Sequence, residues 1–407
     1  MNDKHKGINV YSEIGTLREV LVHRPGREID FLDPNRLEEL LFAATLEPNN
    51  ARAEHDSFTN ILKNEGVKVI ELADLVAQTY VLCSKQVQND FIERFLDEAT
   101  PKLTTKLRAD VKKFLTNIDS PREMVDFMMG GILSSDIGLN KQAPYLVVEP
   151  MPNLYFTRDP FASVGNGLTL HYMKHNVRRR EVLFSEFIFK NNERFQNVPK
   201  YILPKKGLEI EGGDVFVYNK NTLVIGVSDR TKMSTIKELA KNVKQNKECT
   251  FNRIFAINVP KMPNLMHLDT WLTMLDYDKF LYSPNMLSVL KIWKFDLTKG
   301  KINEPEEMNV SLEKALHEII GKKPILIPVA GANASQIDIN IETNFDATNY
   351  LALAPGVVVG YSRNAKTEQA LRDAGIRVIS FQGNQLSLGM GSARCMSMPL
   401  WRDDLLK

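Results

Sequence analysis

A repeated supersecondary pattern limits what this chain can fold into more than any other feature of its sequence. One copy reads "VFVYNKNTLVIGVSDRTKMSTIKELAKNV", with "RIFAINVP" shortly after it. Another reads "YLALAPGVVVGYSRNAKTEQALRDAGIRVISF". Both predict strand, tight turn, strand, helix, strand, because apolar period-two runs flank Asn, Gly or Pro turns and a period-3.6 segment follows. Gly226-Val227-Ser228 and Gly360-Tyr361-Ser362 hold matching places after the second strand. More divergent copies are expected around "GLTLHYMKHNVRRREVLF" and "LREVLVHRPG". A repeated unit of this kind implies an α/β molecule built as a radial or stacked array. Spacing alone does not fix the number of copies.

Between about residues 74 and 143 strand signals nearly vanish and helix starts multiply. "SPRE" offers an N-cap Ser120, Pro121 at the first helical position and Glu123 at the capping-box position. "TPKL" predicts a second cap at Thr100. A helical insertion over 74–143 within an α/β body of 1–73 and 144–407 is therefore expected. In that body, Leu17–Gly26 and Val67–Leu72 read as strands and Asn35–Leu46 as a helix.

Composition narrows the function classes. Fifty-two basic against 50 acidic residues leave a net charge of +2, which gives no footprint for nucleic acid or a membrane surface. No apolar run approaches the roughly 20 residues that cross a bilayer, and the N-terminal stretch has no apolar leader core, so a cytoplasmic protein is expected. The three cysteines, Cys83, Cys249 and Cys395, lie far apart and form no CxxC. That opposes both a disulfide framework and a zinc cluster.

Chemistry-bearing residues fall in four short segments. His267 and Asp269 in "MHLDTWLTML" alternate by two, so on a strand they share a face. Glu211 and Asp214 bracket a glycine pair in "EGGD", where glycine permits positive φ and close approach. "PNLYFTRDP" ends in Arg158-Asp159-Pro160, and "GMGSARCMSMPL" sets Cys395 in a run of small residues. Each segment also has a bland reading: a polar pair at a strand start, a turn, an Asp-Pro turn, a core thiol. Arg178 and Arg230 read as solvated charges when taken alone. Taken together, a thiol, an imidazole and three carboxylates suit a guanidinium. That planar cation donates in bidentate fashion to carboxylates and lowers the pKa of a nearby thiol. A metal-dependent hydrolase is the alternative. It finds only one histidine here and neither HExxH nor HxH spacing. A non-catalytic binding module is a third.

"NLYFTRDP", "EGGD", "MHLDT" and "GMGSARCMSMPL", in this order over essentially the whole chain, resemble the arginine deiminase family, most closely its mycoplasma-type members. The resemblance implies a five-bladed α/β propeller of the pentein type, built from ββαβ-type repeats. It implies hydrolysis of L-arginine by water to L-citrulline and ammonia, the first step of arginine catabolism, with no cofactor and no metal. On that basis Cys395 is the nucleophile, His267 the acid and base, and Glu211 its orienting carboxylate. Asp159 and Asp269 hold the guanidinium. Asn153, Phe156, Arg178, Asp214 and Arg230 bind the rest of the substrate, and Leu41 and Gly389 close the pocket. Met390 stands where some members carry an arginine, and Arg394 directly precedes the cysteine. A homodimer is implied as well. Agmatine deiminase, dimethylarginine hydrolase and amidinotransferase share the fold class. Two arginines facing the pocket would favour a substrate that carries a carboxylate.

Overall fold

The computed structural model describes residues 7–262, 265–298 and 304–405. The first six residues, part of the stretch read as lacking a leader, lie outside them.

Among the described residues, five three-stranded units share one topology: an antiparallel pair whose second member also pairs with a parallel third strand. The first joins Met398–Arg402, Leu17–Val22 and Lys68–Glu71. The second joins Phe161–Val164, Gly167–Leu170 and Lys200–Ile202. The third joins Val215–Asn219, Thr222–Val227 and Arg253–Asn258, and two antiparallel strands extend it, Ile292–Asp296 and Glu306–Met308. The fourth joins Leu272–Met274, Lys279–Tyr282 and Ile325–Pro328. The fifth joins Leu351–Ala354, Val357–Tyr361 and Arg377–Phe381. A parallel neighbour needs a crossover, and helices such as Met233–Gln245 and Ala365–Asp373 supply it. Both quoted repeats are full units, and both divergent segments supply a middle strand. Among the described residues no sheet closes on itself; the strand orders are all linear. The first unit takes its outer strand from the far end of the chain, so the N- and C-terminal segments meet in one sheet.

Four helices, Leu72–Leu82, Lys85–Asp97, Thr105–Thr116 and Pro121–Gly130, occupy most of the span where helix signals multiply. Ser120 caps the last of them through its hydroxyl on the Glu123 N–H. The cap expected at Thr100 lies instead at Thr104, whose hydroxyl accepts from Leu107 N–H. The helices share a core with the second and third units, and Phe91 stacks on Phe187 with ring centroids 4.0 Å apart. The helix expected over Asn35–Leu46 ends at Leu40, because Leu41 turns left-handed at φ 63°. No helix among the described residues is long and apolar enough to cross a membrane.

Candidate active site

A cavity formed by chain segments that leave or enter strands of different units gathers most of the sequence-selected residues; Glu211, Asp214 and Asp269 lie outside its lining. Its lining includes Asn153, Phe156, Asp159, Arg178, Arg230, His267 and Cys395, with Leu41, Gly389, Met266, Thr270 and Met390 at the rim. It encloses about 10 Å³, the room of roughly one water. Outside it lies a cleft of about 1280 Å³ that shares Leu41, Arg230, Met266 and Met390 with the inner wall.

His267 does not sit on a strand. It begins a 3-10 turn, Leu268–Thr270, and the strand starts only at Leu272. The period-two argument for a shared face with Asp269 therefore fails, although both side chains are buried. The turn is pinned from below by Asp214, whose Oδ1 accepts Leu268 N–H at 2.8 Å and whose Oδ2 accepts the Ser228 hydroxyl at 2.6 Å. Asp214 thus stands behind the cavity wall and is absent from its lining.

His267 Nε2 lies 2.8 Å from Glu211 Oε2, and its Nδ1 lies 3.8 Å from Asp159 Oδ1. Burial pushes the imidazole down, and the carboxylates of Asp159, Glu211 and Asp214 more than reverse this, holding it at about 9. Glu211 is held in turn by Arg230 Nη1 at 3.0 Å and by the Lys174 backbone N–H at 3.0 Å. Burial alone would raise its carboxyl, but Arg230 and His267 hold it well below the usual carboxylate range. The glycine pair is there for space. A Cβ on Gly213 would meet His267 Nδ1 at 2.4 Å, and one on Gly212 would meet the Arg158 carbonyl at 1.9 Å. Neither glycine has positive φ, so only the close-approach half of the expectation applies.

Asp159 accepts from Arg178 Nη1 at 2.6 Å and from the Gly213 N–H at 3.2 Å. The other edge of Arg178 is forked onto Glu181, with Nη2 to Oε2 at 2.8 Å. Burial, only partly offset by Arg178, raises Glu181 to about 7. Neither Arg178 nor Arg230 is a solvated charge: both are buried and ion-paired at the cavity wall.

Cys395 lies just before the last strand. Its Sγ is 3.5 Å from Asp269 Oδ2 and 3.1 Å from Asn349 Nδ2. Burial, then Asp269, Asp159 and Asp346, push the thiol well above its ordinary value. Arg394 is fully buried, pairs with Asp269 Oδ2 at 2.9 Å and Glu13 Oε2 at 3.2 Å, and packs its guanidinium on Phe216. It is therefore a fixed strut beneath the site. Asp269 Oδ1 is buried and has no hydrogen-bond partner.

The rim is built from two segments. Asn153 Nδ2 donates to the Leu40 carbonyl, and Ala43 N–H donates to the Leu388 carbonyl at 2.7 Å, which ties one segment to the other. Leu41 and Met390 are both left-handed, at φ 63° and 64°. A Cβ on Gly389 would meet the Tyr155 hydroxyl at 1.9 Å, so only glycine lets this segment come so close.

Asp159, Glu211 and His267 present ligand atoms within 4.8 Å of one another and are the residues here that could hold a cation. Sequence reasoning missed Glu181 and Asn349, and left the role of Arg394 open. The acidic residue three positions after Arg178 was a usable helical-spacing signal. Asn349 had none.

Known proteins decide the family. The arginine deiminase family model matches residues 38–402. A relative named arginine deiminase from Metamycoplasma arthritidis is 59% identical over 405 residues, covering 99% of each chain. Another of that name from Metamycoplasma hominis is 56% identical over 99% of this chain and 98% of its own. The chain belongs to the arginine deiminase family. It is thus an enzyme, a hydrolase of carbon–nitrogen bonds. The fold extends further. SxtG, an amidinotransferase from Microseira wollei, aligns with TM-score 0.56 at 16% identity over 98% of both chains. The N-terminal domain of ArgZ, a cyanobacterial arginine dihydrolase, aligns with TM-score 0.54 at 13% identity over 94% of this chain and 97% of its own. At such identities these neighbours support a shared α/β fold alone.

Proposed function

We propose that this protein hydrolyses L-arginine to L-citrulline and ammonia through a covalent S-alkylthiouronium on Cys395. The observation that carries the reading is Asp269. Its Oδ1 is buried without a partner, and its Oδ2 lies 3.5 Å from the only cysteine in the cavity. A buried carboxylate oxygen left unpaired is costly, and a guanidinium N–H beside the sulfur would satisfy it.

Asp159 and Asp269 hold the substrate cation and leave its central carbon facing Sγ. The arriving positive charge lowers a thiol that burial and three carboxylates keep protonated, so substrate helps create its own nucleophile. The thiol proton leaves toward Asp269 Oδ2. Sγ bonds to the guanidinium carbon, and that carbon's bond to one terminal nitrogen breaks. His267, protonated near neutrality, gives its proton to the departing ammonia. The neutral imidazole then takes a proton from water, which attacks the thiouronium carbon. The adduct's remaining hydroxyl proton passes to the released ammonia as its carbonyl forms, the C–S bond breaks, the ureido product leaves, and the proton held on Asp269 returns to Sγ to restore the Cys395 thiol. Arg178 and Arg230 receive the substrate carboxylate, with Asn153 and Phe156 along its stem. A cavity of about 10 Å³ is too small for arginine, so the segments of Leu41 and Gly389–Met390 open to admit it. Asp214 serves by holding the His267 turn. The five units form a five-bladed propeller into which the helical segment 74–143 is inserted, and the enzyme acts in the cytoplasm as a homodimer.

The test is turnover with arginine, agmatine and methylated arginines, with and without EDTA, followed as ureido product and ammonia. Arginine alone should react, EDTA should have no effect, and Cys395→Ser should bind arginine without making citrulline. Citrulline formed by the Ser variant at the parent rate would remove the covalent mechanism. Loss of activity to EDTA would favour a metal held by Asp159, Glu211 and His267.

A further inference from the structure

The segment Asp346–Tyr350 is latched to both halves of the reaction centre. The Thr348 hydroxyl donates to the Asp269 carbonyl at 2.9 Å, and the Asn349 carbonyl accepts Arg394 N–H at 3.4 Å. A tight turn holds the segment, with Asn349 N–H on the Asp346 carbonyl at 2.9 Å and Asp346 left-handed at φ 56°. Asn349 is fully buried. Its amide grips Cys395 at two points: Oδ1 accepts the Cys395 backbone N–H at 3.1 Å, and Nδ2 reaches Sγ at 3.1 Å. The orientation of the amide follows from chemistry. A backbone N–H can only donate, so the oxygen must face it and the NH2 must face the sulfur.

We propose that Asn349 belongs to the reaction centre, its side-chain N–H holding the Cys395 sulfur in place and stabilising it as a thiolate. This rests on the reading of Cys395 as the nucleophile. The charges around Sγ make such a donor necessary. Asp269 faces it from the 3-10 turn and Asp159 from the loop before the second unit, and Asp346 adds a carboxyl from Asn349's own segment that burial and Asp269 push up to about 8. Arg394 is engaged by Asp269 and Glu13, and His267 by Glu211. Among the described residues, Asn349 supplies the one side-chain N–H hydrogen-bonded to the sulfur. A donor of this kind strengthens when its acceptor becomes charged, so it acts more on the thiolate than on the thiol. It is needed twice, when the sulfur attacks and when it is expelled.

A purely structural Asn349 would pin its segment and do nothing for the sulfur, and Asn349→Asp separates the two roles. It keeps the size and the oxygen that accepts Cys395 N–H, and replaces the donor with a second carboxylate oxygen. We expect kcat to fall by about 100-fold or more, as for loss of one preorganised donor at a reacting atom, with KM nearly unchanged. The pH profile of Cys395 alkylation by iodoacetamide should move to higher pH, with Cys395→Ser identifying the alkylated thiol. Asn349→Ala, measured in the same way, serves if the Asp variant does not fold. A folded variant with the parent alkylation profile, and kcat within about threefold of it, would overturn the inference. If Cys395→Ser still makes citrulline, the nucleophile reading fails instead. Inactive Cys395→Ser with normal Asn349 variants removes only the role given to Asn349.

Discussion

At the scale of single residues, the protonation of His267 is set by its neighbours. Burial lowers the imidazole, but the charge of Asp159, the hydrogen bond and charge of Glu211 and the charge of Asp214 hold it at about 9, with Glu211 in direct contact. The reading given to His267 needs a proton there for the leaving ammonia, so activity should fall as pH rises through about 9. Glu211→Gln removes a raising charge and keeps a hydrogen-bond acceptor. The alkaline limb of kcat/KM should then move down by about one pH unit or more, read in buffered citrulline assays from pH 5 to about 10. An unchanged limb would mean that another group sets it. The cysteine, histidine and carboxylates that converge here could be picked out because each stands in a short motif whose residue types suit one chemistry. Asn349 was not. An amide in "TNY" acquires meaning only when the chain brings Cys395 onto it, across 46 positions. Arg394 was left without a role for a related reason. Nothing in the Gly-Ser-rich run names its partners, and the buried carboxylates of Glu13 and Asp269 come to it only through the fold.

At the scale of elements, local periodicity carried the repeats well and the short segments between them badly. The two quoted units appear as read, since each strand and helix is long enough to show its period. The 3-10 turn at His267 and the early helix stop at Leu40 escaped. Three or four residues define no period, and a left-handed Leu41 has no sequence signature. The helix Pro48–Asn64 shows what period cannot reveal about its buried face. His55 lies there against Phe58, with both ring nitrogens buried and unpartnered. Burial, then the charge of His23, pushes its pKa down to about 3. Its folded value lies below its unfolded one. The stability it carries is therefore complete above about pH 6.5 and is lost progressively as pH falls toward about 3. By pH 5 the loss is on the order of 2 kcal/mol. His55→Leu removes the titration and two unpaired polar atoms. Its Tm should equal or exceed the parent's at neutral pH and fall less steeply between about pH 6.5 and 5, which calorimetry across that range would read. Parallel Tm profiles would place the acid sensitivity elsewhere.

At the scale of the whole molecule, the ends of the chain meet beneath the active site. The last strand pairs with the first, and Cys395 stands three residues before it, so this pairing of the chain's two terminal segments positions Cys395. The pairing also buries charge. Glu13, from the N-terminal segment, accepts from Arg394 and from the Val217 N–H, while Arg158 and Arg402 face it at longer range. Burial lowers Arg158 to about 9 and Arg402 to about 10, which shows how little compensation these guanidinia receive. Arg394 spans Glu13 and Asp269, so one ion network ties the first segment, the middle of the chain and the last loop together. Its long-range pairing is why sequence spacing could suggest an array but could not show that the two terminal segments share a sheet. Glu13→Gln would leave three buried guanidinia with Asp269 as the remaining carboxylate of the network. Removing one partner of a buried pair costs about 3 kcal/mol or more, so a clear fall in Tm is expected at neutral pH. Burial pushes Glu13 up, but Arg394, Arg158 and Arg402 more than reverse this and hold its folded pKa below the ordinary value. Its contribution is thus present at neutral pH and lost as pH falls through that depressed value, so the gap between parent and variant should narrow on acidification. If Glu13→Gln melts with the parent at neutral pH, the charge beneath the site is compensated by groups other than Glu13.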